Sequence, residues 1–157
     1  ENDQASRKQL IHGYVHDPGA AMLGGVGGHA GLFSNATDLA SLMQMFMNKG
    51  YFGGKHYLKD QVVEEYTKAQ FSGNRRGAGF DRPTANGGGT CHALVSQKSF
   101  GHSGFTGTLA WADPEYGINY VFLSNRVCPD QENWKLRDLN IRTEIQRVIY
   151  EILVKAK

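Results

Sequence analysis

Only two cysteines, Cys91 and Cys128, occur in the 157 residues. They lack Cys-x-x-Cys spacing, so at most one internal bridge is available and the redox compartment stays open. No apolar run approaches the roughly 20 residues that span a bilayer, and no membrane segment is expected. An excess of charge of one sign is missing as well: 17 Lys plus Arg oppose 15 Asp plus Glu, a formal net charge of +2. That balance calls for no nucleic acid partner. The chain opens on Glu1-Asn2-Asp3-Gln4 with neither Met nor a basic-then-apolar leader, which reads as no signal peptide, as it would in a mature or truncated chain. The length suits one core of ordinary size and is too short for two, so residues 1–157 are expected to form a single domain.

Glycine, by contrast, is plentiful, with 20 residues. Gly19, Gly24, Gly25, Gly27, Gly28 and Gly31 fall within thirteen positions, a density that excludes a regular helix. A phosphate-cradling loop would need Gly-Lys-Ser/Thr after it, and a dinucleotide fingerprint a strand before it and an acidic residue after it; neither context is met. His12, His16 and His29 with Asp17 supply metal-ligating atoms but no i, i+4 pair on a helix, so they read as loop histidines bonded to backbone, with no metal and no cofactor called for.

From Ser34 the period becomes 3.6. Leu39, Leu42, Met43, Phe46 and Met47 form one stripe, Asn35 or Thr37 can cap its start and Gly50 follows its end, so a core-facing amphipathic helix is predicted. After a turn at Gly53-Gly54, Lys59 to Ala69 reads as a shorter helix burying Val62, Val63 and Tyr66. Residues 71–98 carry Arg75, Arg76 and Arg82 among glycines. These arginines could hold a substrate carboxylate, but a solvated loop is the preferred reading. Farther on, Thr108–Ala112 and Ile118–Ser124 form a hairpin around Asp113-Pro114-Glu115-Tyr116-Gly117. Both faces of that hairpin are apolar, so the sheet should be covered on both sides. A long helix from about Leu136 to Lys155, with Ile141, Ile145, Val148, Ile149, Ile152 and Leu153 as its stripe, is expected to lie along the sheet.

The stretch Ser99 to Asp113 has the character of a site. His102, Ser103 and Gly104 place a titratable group, a hydroxyl and a side-chain-free position in sequence, followed by Gly107 and an alternating strand pattern. At Gly104 a substrate could lie against the backbone, with His102 and Ser103 facing the cleft. A hairpin edge with a chance His-Ser-Gly is the plainer alternative.

Phe100-Gly101-His102-Ser103-Gly104-Phe105-Thr106-Gly107, followed by an aromatic-bearing strand, the Asp-Pro-Glu-Tyr-Gly turn and the strand from Ile118, resembles the third motif and following hairpin of serine β-lactamase and penicillin-binding-protein-like hydrolases. The resemblance is greatest to the class C-like esterase group, in which His-Ser/Thr-Gly takes the place of Lys-Thr-Gly. Gly24 to Ser34 with Asp38-Leu39-Ala40 resembles the segment between the second and third motifs, and Gly77 to Phe80 resembles the short strand that precedes the third. The similarity spans roughly residues 10–155. It implies that His102 stands where the family has lysine, that Ser103 hydrogen-bonds the same substrate group, and that the Phe105 N–H is one of two oxyanion donors, with Gly104 and Thr106 beside the substrate. Ester, β-lactam or peptide substrates and a periplasmic or extracellular address go with it.

Acyl transfer also needs a serine nucleophile and a base. No lysine here has serine three residues before it, no tyrosine has asparagine two residues after it, and Ser72-Gly73-Asn74 lies too late in the order to be the second motif. The expectation is therefore the C-terminal portion of a β-lactamase-like hydrolase. It should be an α/β partial sandwich in which a small antiparallel sheet is packed by the C-terminal helix on one face and the Ser34–Lys49 helix on the other. Its open sheet edge favours a homo-oligomer. A non-catalytic ligand-binding module on the same fold is the alternative.

Overall fold

Residues 2–4 and 6–154 are described by a computed structural model. The sheet is built from the alternation seen in the sequence. Strands β5 (Phe100–Ser103), β6 (Leu109–Asp113) and β7 (Ile118–Phe122) run antiparallel in the order β5-β6-β7. Trp111 sits opposite Gly101 and Tyr120, and Ala112 opposite Phe100 and Asn119. Side chains of successive strand residues leave on opposite faces. One face thus gathers Leu109, Trp111, Ile118 and Tyr120, and the other Phe100 and Ala112.

Each face receives a helix. Helix α2 (Ala36–Met47) starts at Asn35, whose side-chain oxygen accepts from the Asp38 N–H. It packs Met43, Phe46 and Met47 on Phe100 and Ala112, and Asn119 donates across the interface to the Ala40 carbonyl at 2.7 Å. Within the predicted stripe Leu42 is exposed, and Met45 is buried in its stead. The opposite face takes α5 (Ile141–Leu153) through Ile149 and Tyr150. The α/β layering expected of the sheet and its two covering helices is what the structure shows.

The C-terminal helix departs from expectation in two ways. It is two helices, α4 (Lys135–Asp138) and α5, separated at Asn140, which adopts the left-handed conformation at φ +53°. Asparagine tolerates that geometry better than most residues, and the break re-aims the chain. The face laid on the sheet is then set by polar anchors. Gln146, fully buried, accepts from the His92 N–H at 2.7 Å, and the Tyr150 hydroxyl donates to the buried Asp113 carboxylate at 2.8 Å. Ile141, Ile145, Val148 and Ile152 consequently face outward, Ile152 with 63% exposure.

The remaining elements are small. Strands β1 (Asn2–Asp3) and β2 (Gln9–Leu10) pair, as do β3 (Tyr51–Phe52) and β4 (Lys55–His56) around Gly53-Gly54. Helix α1 (Pro18–Met22) occupies the start of the glycine-rich run, where no helix was expected. Asp17 caps it by accepting from the Ala20 N–H, and Pro18 supplies a first-turn φ. Helix α3 (Asp60–Thr67) buries only Val63, while Val62 and Tyr66 are exposed. Residues 91–98, part of the segment 71–98 that carries no readable period, contribute Cys91 and Val95 to the core. Asp113 ties them to the sheet by accepting from the Ser96 N–H and hydroxyl at 2.8 and 2.6 Å. Both cysteines are free.

Candidate active site

The end of β5 is shaped by what pairs with it. On its outer edge Asp81 exchanges two backbone hydrogen bonds with Gly101, at 2.7 and 3.0 Å. The single bridge at Asp81 replaces the strand expected at Gly77–Phe80. The ladder alternates, so Ser103, two residues on, turns its N–H to the same outer edge. No described residue accepts from it. Gly104 is committed elsewhere: its N–H donates to the Thr108 carbonyl at 2.9 Å and its carbonyl accepts from Gly107 at 3.0 Å. A Cβ at Gly104 would meet the Thr108 hydroxyl at 2.4 Å, so any larger residue there would have to displace the Thr108 side chain. Among the described residues the Ser103 N–H is thus left without an acceptor, whereas the N–H and carbonyl of Gly104 are both bonded within the turn.

His102 and Ser103 point to opposite faces, as strand alternation requires. His102 is exposed, and its Nδ1 lies 2.7 Å from the Ser103 carbonyl while its Nε2 lies 3.4 Å from Arg76 Nη1. The geometry assigns the tautomer that carries its proton on Nδ1, since a carbonyl can only accept and a guanidinium can only donate. Phe105 and Thr106 form the turn after β5. No described residue accepts from the Phe105 N–H.

That turn is held from below by β7's continuation. The Arg126 N–H and the Ser124 hydroxyl both donate to the Thr106 carbonyl, at 2.9 and 3.2 Å, and Arg126 Nε donates to the Phe105 carbonyl at 2.8 Å. Arg126 is 8% exposed, and burial lowers its pKa from the ordinary arginine value. Its guanidinium packs against the rings of both Phe105 and Trp134, 4.5 and 3.7 Å from their centroids, and those two rings meet edge to face at 5.7 Å. His16 stacks on Phe105 with ring centroids 5.3 Å apart. Gly107, at φ +99°, closes the turn where a Cβ would strike the Ser124 hydroxyl at 2.2 Å.

The sequence pattern does not single out Arg126 or Trp134, and it marks His16 only as a loop histidine. Their spacing follows no helical or strand period; only the fold brings positions 16, 105, 126 and 134 together. The arginines read as a solvated loop are engaged. Arg82 donates to the carbonyls of Thr67 and Gln97, Arg75 pairs with the buried Asp81, and Arg76 reaches both Asp81 and His102. His29 bonds the Asp17 carboxylate at 2.8 Å rather than backbone. Among the described residues no group of three His, Cys, Asp or Glu could hold a metal ion, and no helix is long and apolar enough to cross a membrane.

The chain belongs to the beta-lactamase family, whose model matches residues 2–142. A "Putative D-alanyl-D-alanine carboxypeptidase" from Salmonella paratyphi B (strain ATCC BAA-1250 / SPB7) is 38% identical over 125 residues, covering 76% of this chain and 28% of that protein. The protein of the same description from Salmonella newport (strain SL254) matches to the same extent. The chain thus spans 28% of the length of the curated relatives it matches. A crystal structure described as a "putative beta-lactamase from Bacteroides dorei DSM 17855" aligns over 81% of this chain and 49% of its own, with 19% identity and a TM-score of 0.42.

Proposed function

We propose that this chain is the C-terminal part of a β-lactamase-like serine hydrolase and supplies the substrate-side wall for acyl transfer to an ester, a β-lactam or a peptide. The observation that carries the reading is the end of β5, where the N–H groups of Ser103 and Phe105 have no described acceptor and the exposed His102 stands beside them. In this reading a substrate pairs with the Ser103 backbone, and Gly104 and Thr106 shape the turn beside it. The Phe105 N–H donates to the oxyanion as the carbonyl becomes tetrahedral. His102 orients the substrate group that a lysine meets elsewhere in the family. The Ser-x-x-Lys nucleophile and the Tyr-x-Asn motif are absent from these 157 residues and come from outside them. Self-association through the free edge of β7 belongs to the same proposal.

The test is made on the gene product that carries this segment, by intact-protein mass spectrometry after incubation with a fluorescent penicillin and with p-nitrophenyl acetate. A stoichiometric acyl adduct is expected, and His102→Ala should lower turnover by about a hundredfold, the scale of a positioned acid-base or oxyanion group. Reversible ligand binding without an adduct would identify the non-catalytic binding module instead.

A further inference from the structure

We infer that the β3–β4 hairpin, through Phe52, Lys55, Tyr57 and Lys59, docks the molecule onto an anionic lipid surface. The inference is independent of the reading of β5 as a substrate wall, which its failure would leave standing.

Register decides which side chains share a face. Tyr51 pairs with His56 and Phe52 with Lys55, and residues directly opposite in an antiparallel pair lie on the same side. Side chains alternate along each strand, so Phe52, Lys55 and Tyr57 fall on one face, and Tyr51 with His56 on the other. The contacts agree. Lys55 Nζ lies 5.1 Å from the centroid of the Tyr57 ring, and the rings of Tyr51 and His56 meet edge to face at 5.1 Å. Leu58 is half-buried while Tyr57 and Lys59 on either side of it are exposed, so the alternation continues to Lys59.

The hairpin is also fixed to the body. The Tyr57 N–H donates to the Gly50 carbonyl at 2.9 Å and the Gly50 N–H to the Met45 carbonyl at 2.8 Å, which ties the hairpin to the end of α2. Lys49 in turn pairs with Glu64 of α3 at 2.6 Å. Both strands are nonetheless exposed throughout, and no other described strand pairs with them. Tyr51, Phe52 and Tyr57 are thus three aromatic rings held out to solvent on a fixed support, a surface that favours a partner.

Charge and ring chemistry name the occupant. From Tyr51 to Lys59 the chain has no acidic residue. The carboxylates of α3 are engaged elsewhere: Glu64 by Lys49, Glu65 by Lys68 at 2.6 Å, and Asp60 lies 3.9 Å from His56 Nδ1. Lys55 and Lys59 therefore have no carboxylate partner among the described residues, and the hairpin presents two ammonium groups that nothing neutralises. Two of the three rings are tyrosines, apolar in the ring and polar at the tip, and lysine joins an apolar stem to a charged head. The core of a protein interface is poor in lysine. Interleaved lysines and aromatic rings suit instead the headgroup layer of a bilayer, where rings settle at headgroup depth and ammonium groups meet lipid phosphates. An open depression of about 380 Å³ lined by residues 56–61 leaves room there for a headgroup.

Co-sedimentation of the 157-residue chain with vesicles tests this, using phosphatidylcholine alone and phosphatidylcholine mixed with phosphatidylglycerol. Binding is expected to the phosphatidylglycerol-containing vesicles and to weaken with added salt as the surface charges are screened. Lys55→Gln and Lys59→Gln should each lower the partition coefficient about fivefold, the scale of one lysine at an anionic surface. Lys135→Gln, the same change of charge on α4, should leave it unaltered. Phe52→Ser, checked as folded by circular dichroism, should weaken binding at every salt concentration. Absence of binding to either vesicle, an equal loss from Lys135→Gln, or binding that survives the paired Lys55→Gln and Lys59→Gln changes overturns the proposal. Hairpin variants that lower self-association without lipid, when the unmodified chain ignores vesicles, assign the surface to a second copy of the chain and overturn it as well.

Discussion

At the scale of single residues, burial decides which side chains can react. Cys91 is buried beneath the sheet, where loss of water around the thiolate pushes its pKa up to about 12, whereas Cys128 is exposed. Because the thiolate is the nucleophile, alkylation with iodoacetamide near neutral pH should label Cys128 alone in the folded chain. Peptide mapping should find Cys91 modified only after denaturant. Asp113 presents the opposite case, a buried carboxylate made tolerable by its donors: Ser96 supplies two hydrogen bonds and the Tyr150 hydroxyl one. Burial, and the nearby Asp113 charge with it, push the Tyr150 hydroxyl upward in pKa, so it stays protonated and donating. Tyr150→Phe removes that donor without changing the ring, and should destabilise the fold by about 1.5–3 kcal/mol, the scale of a hydrogen bond to a charged group, while Asp113 keeps its Ser96 donors and the N–H groups of Glu115 and Tyr116. Urea denaturation showing no loss would mean that water or another donor replaces it.

Among the elements, those with a clean period were legible in the sequence and those governed by a few polar contacts were not. The period-two strands β6 and β7 with their Asp-Pro-Glu-Tyr-Gly turn, and the helix beginning near Asn35, lie where the pattern put them. Of the C-terminal apolar stripe, Ile149 packs on the sheet while Ile141, Ile145, Val148 and Ile152 do not, because Gln146 and Tyr150 bond into the core and outweigh an apolar count. Nothing in the spacing around residues 71–98 indicates that Asp81 pairs with β5 or that Arg76 meets His102; both are long-range contacts through a segment without a period. The turn at Phe105–Gly107 depends in the same way on Arg126. Arg126→Met keeps the aliphatic stem but removes the guanidinium, and with it the donors to the carbonyls of Phe105, Gln131 and Asn133 and the cation over the Phe105 and Trp134 rings. Hydrogen exchange should then quicken at Gly107 and in the Phe105–Gly107 turn while β6 stays protected, and uniform exchange in both proteins would count against the clamp. At the N-terminal hairpin, Asp3 accepts from the Ser6 N–H at 2.8 Å and from Arg7 Nε at 2.7 Å. These bonds, the Ser6 contribution being the larger, hold its pKa at about 2 against an ordinary 3.8. A carboxyl depressed in the folded state stabilises above its unfolded value, and that contribution fades as pH falls from 3.8 through 2. Exchange protection in β1–β2 should therefore decline across that window, and unchanged protection down to pH 2 would remove Asp3 as its cause.

For the molecule as a whole, two surfaces bear on how it behaves alone. No described strand pairs with the outer edge of β7, and the outward isoleucines of α5 add an apolar strip on the face α5 covers. Unpaired strand edges and contiguous apolar surface favour association. Analytical ultracentrifugation should show concentration-dependent oligomers, and a stable monomer at micromolar concentration would count against it. The chemistry of the isolated chain follows from its serines. A serine becomes a nucleophile near neutral pH only with a base in hydrogen-bond reach. Ser96 donates to Asp113 but is buried, and Ser34, Ser41, Ser99 and Ser124 donate to backbone carbonyls. No described residue accepts from the hydroxyls of Ser6, Ser72 or Ser103. His102 adjoins Ser103 in sequence but faces the opposite side of the strand, with Nδ1 already directed at a carbonyl. The 157-residue chain should therefore bind substrate analogues without being acylated. Intact-mass measurement after incubation with a fluorescent penicillin should show the unmodified mass, and an adduct mapped to Ser103 or any other serine would reveal a complete active site within these residues.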